Sequence, residues 1–346
     1  MQLSTQIAYS GGFKQSVARV VEFEKAGLDI AWLAEAYGFD SVSLMGYLAA
    51  KTERLTIGSA ILPIYTRTPT LLAMTAAGLD ELTDGRFILG IGASGPQVVE
   101  GWHGVAYDKP LGRTREIAEI CRAVWAREQP LVHHGPNYTI PLPESEGSGL
   151  GKPLKIIGKP RRSNIPIYIA ALGGKNIELT AEVADGWLPL FYFPEHVDVF
   201  ADSLAVGKAK RSADLGPLEV VAGGVAYIGD PESCRKVLDA YARPHLALYV
   251  GGMGAKGQNF YNALVARYGY EKEAALIQDL YLSGRKDEAA AAIPEELVRL
   301  TNLCGDEGFV RERIQAFRDS GVTTLNLTLP TDDAVAIIGR VREWTN

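Results

Sequence analysis

The sequence predicts an α/β fold of the (β/α)8 TIM barrel class. Eight apolar, strand-like runs alternate with stretches of helical periodicity along the 346 residues. Strands that alternate with helices form parallel sheets, because each helix returns the chain to the edge where the last strand began. Eight such units in a chain of this length favour a closed barrel, and an open doubly wound sheet is the alternative.

Short runs rich in β-branched and other apolar residues mark the eight predicted strands. In chain order they are residues 6–10, 29–35, 55–62, 87–93, 165–171, 186–192, 218–229 and 323–329. Helical periodicity is clearest in five intervening segments, several of which end at glycine, a common helix stop. These segments are residues 15–27, 70–85, 113–126, 176–186 and 307–321.

Two segments exceed the simple repeat and are predicted to be insertions. Residues 129–164, after the fourth strand, are dense in proline and glycine and predict a loop with a short hairpin. Residues 231–305, after the seventh strand, carry mostly helical patterns. Neither segment shows a sharp change in composition, so residues 1–346 are predicted to form a single domain.

Composition and charge exclude several classes of function. A hydrophobic fraction of 47% and a charged fraction of 22% are typical of a soluble globular protein. No apolar run reaches the roughly 18 residues of a membrane helix, and residues 1–15 lack the features of a secretion signal. A net charge of −6 argues against binding to nucleic acid. We therefore expect a cytoplasmic protein with a small-molecule substrate and no membrane or nucleic-acid partner.

The cysteines and histidines predict neither a disulfide framework nor a metal site. Cys121, Cys234 and Cys304 are widely separated, which favours reduced, buried thiols. The five histidines lack the spacing of metal ligands, and surface or packing roles are expected for them. They are His103, His133, His134, His196 and His245.

The segment Gly90–Gly95 reads GIGASG and matches the spelling of a dinucleotide-binding motif. That motif must open a helix in the first strand–helix–strand unit and be followed by an acidic residue after the next strand. Here Pro96 follows directly and the next predicted strand begins about 70 residues later. The segment is therefore interpreted as a barrel strand and its loop.

A glycine corner follows the fifth predicted strand. Gly173 and Gly174 separate that strand from a helical pattern, so the amides of Gly173, Gly174, Lys175 and Asn176 lie where the helix begins. Unpaired N–H groups and the helix dipole attract anions, and Lys175 could add a positive charge. The corner predicts a phosphate site, unless the glycines only supply the positive φ of a strand-to-helix turn.

Three stretches, residues 38–58, 58–95 and 170–187, resemble the bacterial luciferase-like monooxygenase superfamily. They are most similar to its branch of coenzyme F420-dependent oxidoreductases, which includes methylenetetrahydromethanopterin reductases and many actinobacterial proteins. The resemblance implies a luciferase-like barrel that binds the deazaflavin F420 and forms a homodimer or larger homo-oligomer. Flavin mononucleotide (FMN) is the alternative cofactor, because users of FMN share the barrel.

The resemblance also implies where the cofactor binds. A cis peptide bond between Ala60 and Ile61 would support the back of the deazaflavin ring, and small residues after the fourth strand would line the ring or its tail. The glycine corner would bind the phosphate, and Glu35 occupies a position where relatives often carry aspartate. The implied cofactor-binding residues are Glu35, Ala60, Ile61, Gly92, Ala93, Ser94, Gly173, Gly174, Lys175 and Asn176.

The sequence departs from the family pattern at two positions. Ala36 stands where many relatives place a histidine beside the reacting carbon, and the motif SGGF at residues 10–13 contains no counterpart of a glutamate found near the first strand of others. Both departures disfavour oxidation of a sugar phosphate.

The implied reaction is transfer of a hydride between C5 of the deazaflavin and an unidentified small organic substrate. The candidate catalytic residues, as proton sources or for polarising the substrate, are Glu35, Tyr65, Arg67 and His103. Each has a structural alternative: Glu35 could bind loop amides, Tyr65 could pack on the cofactor, Arg67 could orient its loop and His103 could cap a helix. A reduced-flavin monooxygenase and a non-catalytic flavin-binding barrel are the alternative functions.

Overall fold

Eight parallel strands close into a barrel in the computed structural model, which describes residues 1–8 and 11–345. Going around the barrel, the pairing order is β1, β2, β3, β5, β8, β9, β10 and β13, and β13 pairs with β1. The contact between Ile57 of β3 and Phe87 of β5 completes the ring. The predicted barrel is confirmed, and the open sheet is excluded. The strands are β1 (Gln2–Ile7), β2 (Ile30–Leu33), β3 (Thr56–Ser59), β4 (Leu62–Pro63), β5 (Phe87–Gly92), β6 (His133–His134), β7 (Thr139–Ile140), β8 (Ile167–Ala170), β9 (Gly186–Leu188), β10 (Glu219–Ala222), β11 (Ala226–Ile228), β12 (Leu303–Gly305) and β13 (Thr324–Asn326).

Helices follow the strands and cover the outside of the barrel. Each of the five predicted helical segments contains a helix. Asp40 is the N-cap of α2, and its carboxylate accepts a hydrogen bond of 2.9 Å from the Ser43 amide. The helices are α1 (Phe13–Lys25), α2 (Ser41–Ala49), α3 (Pro69–Leu82), α4 (Pro96–Val99), α5 (Pro110–Ala126), α6 (Gly174–Val183), α7 (Ala201–Lys208), α8 (Pro231–Val237), α9 (Arg243–Ala247), α10 (Phe260–Arg267), α11 (Glu271–Leu282), α12 (Lys286–Ala291), α13 (Glu295–Leu300), α14 (Glu307–Asp319) and α15 (Ala334–Thr345).

All eight predicted strands have different bounds in the structure, and three of them are displaced or divided. The first strand, predicted at residues 6–10, is β1 at Gln2–Ile7, and residues 9 and 10 lie outside the described residues. The run 55–62 divides into β3 and β4. The run 218–229 divides because the Val225 amide donates to Asn302 Oδ1 over 2.7 Å, which draws β11 away from the barrel to pair with β12.

Large aromatic side chains fill the inside of the barrel. Trp32 and Tyr168 have ring centroids 5.7 Å apart and pack with Ile30, Ile88 and Val221. Room for the Trp32 ring exists only because the neighbouring strand carries glycine at position 58, where a Cβ atom would overlap the ring. The packing of the Trp32 ring therefore depends on the absence of a side chain at Gly58.

We expect Gly58→Ala to lower the free energy of unfolding by at least about 2 kcal/mol, because the new methyl group must displace the Trp32 ring from a packed core. Urea unfolding measures the change. Gly78→Ala is the control, because a Cβ there has no heavy atom within 4 Å, and this exposed position of α3 should gain up to about 1 kcal/mol. Equal stability of the two variants would contradict this view of the core.

The two segments predicted to be insertions contain a hairpin and a series of helices. Residues 129–164 include the antiparallel hairpin of β6 and β7, and the segment from 231 to 305 contains α8 to α13 with β12 at its end. Two π-helical segments, Leu238–Ala242 and Leu248–Gly252, flank α9. Cys121, Cys234 and Cys304 are buried thiols, as expected. Within the described residues, no helix is long and apolar enough to span a membrane.

A buried carboxylate holds the hairpin against α5. Glu116 accepts hydrogen bonds from the Tyr138 amide over 2.9 Å and from His133 Nε2 at 3.1 Å, and it also binds the Asn137 side chain. Burial alone would raise the pKa of Glu116, but the hydrogen bonds from Asn137, His133 and Tyr138 lower it below its usual value.

A lowered pKa makes the contribution of Glu116 to stability dependent on pH. The contribution is complete above the pKa of about 4.3 in the unfolded chain and is lost as the pH falls through the lower folded-state value. We expect the wild type to lose more stability than Glu116→Gln between about pH 5 and about pH 3. Urea unfolding at both pH values tests this, and parallel losses in the two proteins would contradict it.

Candidate functional site

The C-terminal ends of three adjacent barrel strands bring most of the implied cofactor residues together. A Cβ atom at Gly92, the last residue of β5, would lie 3.2 Å from Ile61 Cγ1 and 3.5 Å from Ala170 Cβ of β8. Ala60, Ala93 and Ala170 are half-buried, and Ala60 packs on the aromatic core below. This part of the barrel mouth is a shallow floor of small side chains, which suits a flat ring.

A cis peptide bond joins Ala60 and Ile61, as the resemblance implied. The end of β2 holds both sides of it: the Ala60 amide donates to Leu33 O over 2.7 Å, and the Glu35 amide donates to Ile61 O over 3.2 Å. After β5, Ser94 turns the chain with a left-handed φ of 61° toward α4. The positions Ala60, Ile61, Gly92, Ala93 and Ser94 thus lie on one side of the mouth.

The glycine corner after β8 is open to solvent. Gly173 and Gly174 are half-buried, and Gly173 is the N-cap of α6. The N–H groups of Gly174 and Lys175 form no hydrogen bond among the described residues, as expected in the first turn of a helix. We call this pair of donors the anion seat. Its donors and the dipole of a ten-residue helix fit a phosphate group.

Three details of the glycine corner differ from what the sequence suggested. Gly173 has a φ of −74°, so the turn does not require a positive φ there. The Asn176 amide donates to Gly173 O over 2.9 Å, so it is already used within the helix and does not join the anion seat. Lys175 Nζ is paired with Glu178 at 2.9 Å and is largely exposed, which turns its charge away from the amides.

Neighbours from distant parts of the chain complete the surroundings of the anion seat. A Cβ atom on Gly174 would lie 3.0 Å from Ser203 Oγ of α7. A Cβ atom on Gly173 would lie 3.9 Å from the Phe260 ring of α10. Buried Asn176 Oδ1 finds no partner within the described part of the chain. Ser203 and Phe260 were not predicted, because no sequence pattern links them to residues 173–176.

Glu35 and Arg67 form a bidentate ion pair beside this floor. Each side chain is about one-tenth exposed, and Arg67 Nη2 lies 2.9 Å from Glu35 Oε2. Glu35 also accepts from the amide and hydroxyl of Ser41 at 3.1 Å each, and Arg67 reaches Asp40 at 3.0 Å. Burial opposes the charge on Arg67, but the hydrogen bonds and charges of Glu35 and Asp40 raise its pKa above the usual value.

The pairing changes the interpretation of both residues. Every oxygen of the Glu35 carboxylate has a partner, and a guanidinium with a raised pKa does not give up its proton. The pair ties α2 and the loop after β4 to the segment with the cis bond, which fits a positioning role. The catalytic roles of Glu35 and Arg67 and the cofactor contact of Glu35 stay predictions.

The Tyr65 side chain packs against the start of α5 and the residues before it. Its hydroxyl donates to Asp108 O over 2.7 Å, its ring centroid lies 5.2 Å from that of Tyr107, and Arg113 lies over its face. Burial raises the pKa of Tyr65 to about 12. A phenol that is bound to a carbonyl and stays protonated at neutral pH fits a structural role for the loop after β4.

A cleft of about 480 Å³ lies next to Tyr65 and Arg67. Its walls are the loop after β4, the start of α3 and the hairpin of β6 and β7, with Arg113 and Tyr138 among the lining residues. The cleft is beside the floor of small residues and does not include the anion seat. Because the cleft does not contain the anion seat, we place the candidate cofactor site at the barrel mouth and not in the cleft.

His103 is exposed on the segment after α4. Its amide donates to Val98 O over 3.2 Å, but its side chain makes no hydrogen bond or ion pair within residues 1–8 and 11–345. The adjacent Trp102, which is 67% exposed, contacts Tyr37 with ring centroids 6.3 Å apart. His103 has no hydrogen bond, ion pair or ring contact with Glu35, Tyr65 or Arg67 in the described part of the chain, and its catalytic role stays a prediction.

Comparisons with known proteins are consistent with this geometry. The model of the luciferase-like monooxygenase family matches residues 1–324. The chain is 41% identical over 339 residues, 97% of each protein, to a Mycobacterium tuberculosis protein named "Putative coenzyme F420-dependent oxidoreductase Rv3520c". It is 27% identical to the 5,10-methylenetetrahydromethanopterin reductase of Archaeoglobus fulgidus, over 87% of this chain and 85% of that protein.

A solved structure is similar over nearly the whole chain. The coenzyme F420-dependent tetrahydromethanopterin reductase from Methanopyrus kandleri superposes with a TM-score of 0.77 at 22% identity, covering 98% of this chain and 96% of that one. At this identity the similarity supports the fold. The family resemblance inferred from the three sequence stretches is confirmed.

Proposed function

Because this chain belongs to the luciferase-like monooxygenase family, we propose that it is an F420-dependent oxidoreductase. It transfers a hydride between C5 of the deazaflavin and a small organic substrate. The observation that carries the proposal is the anion seat. It begins four residues after the end of β8, next to a floor of small residues. Relatives that are named for F420 support the same cofactor.

Two sets of residues at the barrel mouth would bind such a cofactor, one its phosphate and the other its ring. The Gly174 and Lys175 amides would bind its phosphate, with the Ser203 hydroxyl close enough to assist. Ala60, Ile61, Gly92, Ala93 and Ser94 would line the ring. When bound, the deazaflavin supplies a carbon that accepts or donates two electrons as a hydride.

The protein contributes position and the exclusion of water. The Glu35–Arg67 pair fixes the segment with the cis bond through the Glu35 amide, so the floor keeps its shape. The buried aromatic residues of the barrel close the space below the floor. Positioning of this kind lowers the barrier because the reacting carbons meet in a productive geometry.

Cofactor titration tests the proposal. Oxidised F420 and FMN are each added to the purified protein and their fluorescence is followed, with a panel of organic donors and acceptors to detect turnover. We expect quenching of F420 with little binding of FMN. Preferential binding of FMN would favour a reduced-flavin monooxygenase, and F420 binding without turnover would favour a carrier, so either result contradicts the proposal.

A cytoplasmic location and a homodimeric or larger assembly are part of the same proposal. They rest on the composition and on the resemblance to the F420-dependent branch. Sedimentation of the purified protein measures the assembly.

A further inference from the structure

Four aromatic rings form a cluster at the rim of the barrel, next to the glycine corner. Phe191, three residues after β9, has its ring centroid 5.5 Å from that of His245 and 5.5 Å from that of Tyr249. Tyr261 lies 4.8 Å from Tyr249 and 6.1 Å from Phe191. We call these four residues the aromatic wall. Three of them come from the helical insertion, and none was predicted as a site residue.

The insertion reaches the rim of the barrel at two neighbouring strands. Phe260, the first residue of α10, lies beside Gly173 after β8, and the next residue, Tyr261, contacts Phe191 after β9. The Tyr268 hydroxyl donates to Phe191 O over 2.9 Å and so fixes the α10 helix to that loop. The aromatic wall therefore continues the rim directly from the anion seat.

The backbone is irregular where Phe191 and Tyr249 of the aromatic wall lie. Phe191 has a left-handed φ of 55°, which is unusual for a bulky residue and tends to occur at functional sites. His245 lies on α9 between the two π-helical segments, and Tyr249 follows in the second of them. Such π segments are common where a helix lines a site. Two independent departures from regular backbone thus meet in one aromatic cluster.

His245 is the solvent-exposed member of the aromatic wall. Its ring centroid lies 5.5 Å from that of Phe191 and 4.7 Å from that of Tyr249, so these rings cover part of the imidazole. Burial lowers its pKa below the usual value. At neutral pH the imidazole is uncharged and offers one donor and one acceptor nitrogen. Burial also raises the pKa of Tyr261, so its phenol is neutral.

We propose that the aromatic wall binds the body of the substrate and that His245 forms a hydrogen bond with its oxygen. The substrate class that fits is an uncharged molecule with an aromatic or extended apolar body and a carbonyl or hydroxyl group. The rings favour apolar, planar surfaces, and a neutral imidazole can bind either kind of oxygen. This inference rests on the proposed function, because the wall lies next to the glycine corner assigned to the cofactor phosphate.

Nuclear magnetic resonance of the histidine rings tests the proposal. The protein has five histidines, so ¹⁵N-histidine labelling gives few ring signals, and His245→Gln identifies those of His245. Acetophenone is the uncharged aromatic probe, and 4-acetylbenzoate is its negatively charged counterpart. We expect acetophenone to shift the His245 signals selectively, and the charged probe to bind about tenfold more weakly, because a carboxylate must be desolvated against apolar rings.

Variants separate the wall from the rest of the fold. Tyr261→Ala should weaken acetophenone binding about fivefold while His245 stays in place. His134→Gln, on the exposed edge of the hairpin, should change nothing. Unmoved His245 signals up to the solubility limit of acetophenone, or equal affinity for the two probes, would overturn the proposal.

The same samples distinguish a failure of this inference from a failure of the proposed function. The ring signals are recorded without cofactor, whereas the cofactor assignment is read from F420 quenching. His245→Gln should quench F420 as the wild type does. Quenching without a probe-induced shift would overturn the aromatic wall alone, and a shift without quenching would overturn the cofactor assignment alone.

Discussion

Gly173→Asp should weaken F420 binding about 100-fold, or about 2.7 kcal/mol, while leaving the fold intact. Gly173 has φ −74° and ψ 141°, which any residue adopts, and a Cβ there would be 3.9 Å from the nearest heavy atom considered. An aspartate at an N-cap accepts a hydrogen bond from the first turn of its helix. It would therefore occupy a donor of the anion seat and place a negative charge where the phosphate binds.

Gly173→Asn is the matched control for this change. The asparagine side chain has the same shape and caps the same amides without a charge, so its effect on F420 affinity should be much smaller. Titration by fluorescence quenching measures all three proteins, and urea unfolding should show that neither variant is less stable. Unchanged affinity in Gly173→Asp would mean that the phosphate binds elsewhere.

Arg67→Met should lower the free energy of unfolding by about 3 kcal/mol, because it leaves the Glu35 carboxylate buried without its cation. The methionine keeps most of the apolar volume, so lost packing contributes little. Urea unfolding gives the change, and the double variant with Glu35→Gln should recover part of it, since no unpaired charge then stays buried.

Arg235→Met is the control for the same substitution on the surface. Arg235 of α8 pairs with Asp239 in the π-helical segment that follows, and the two side chains are 67% and 43% exposed. Exposed pairs of this kind contribute about 0.5 kcal/mol or less. A loss in Arg67→Met no larger than that in Arg235→Met would contradict the positioning role of the buried pair.

The barrel was predictable because its signals are local. Strands of a parallel barrel are buried on both faces, so runs such as residues 87–93 are apolar without interruption. The glycine corner was equally visible, since Gly173 and Gly174 stand between a strand and a helix. The bounds of β3 and β4 were less predictable, because they depend on hydrogen bonds to the end of β2.

Several contacts in the site were not predicted, because they join residues that are far apart in the sequence. Glu35 and Arg67 are 32 residues apart, and nothing in either segment indicates that they pair. Ser203, Phe260 and His245 lie in segments with ordinary helical patterns, and only the fold places them at the mouth. In the sequence His245 is an isolated histidine, and only its contact with Phe191 in the folded protein distinguishes it.

A crystal structure of the protein with F420 would locate the cofactor. We expect its phosphate to accept hydrogen bonds from the Gly174 and Lys175 amides and its ring to lie across Ala60, Ile61 and Gly92. A cofactor whose phosphate lies away from the start of α6, or whose ring lies outside the barrel mouth, would contradict this expectation.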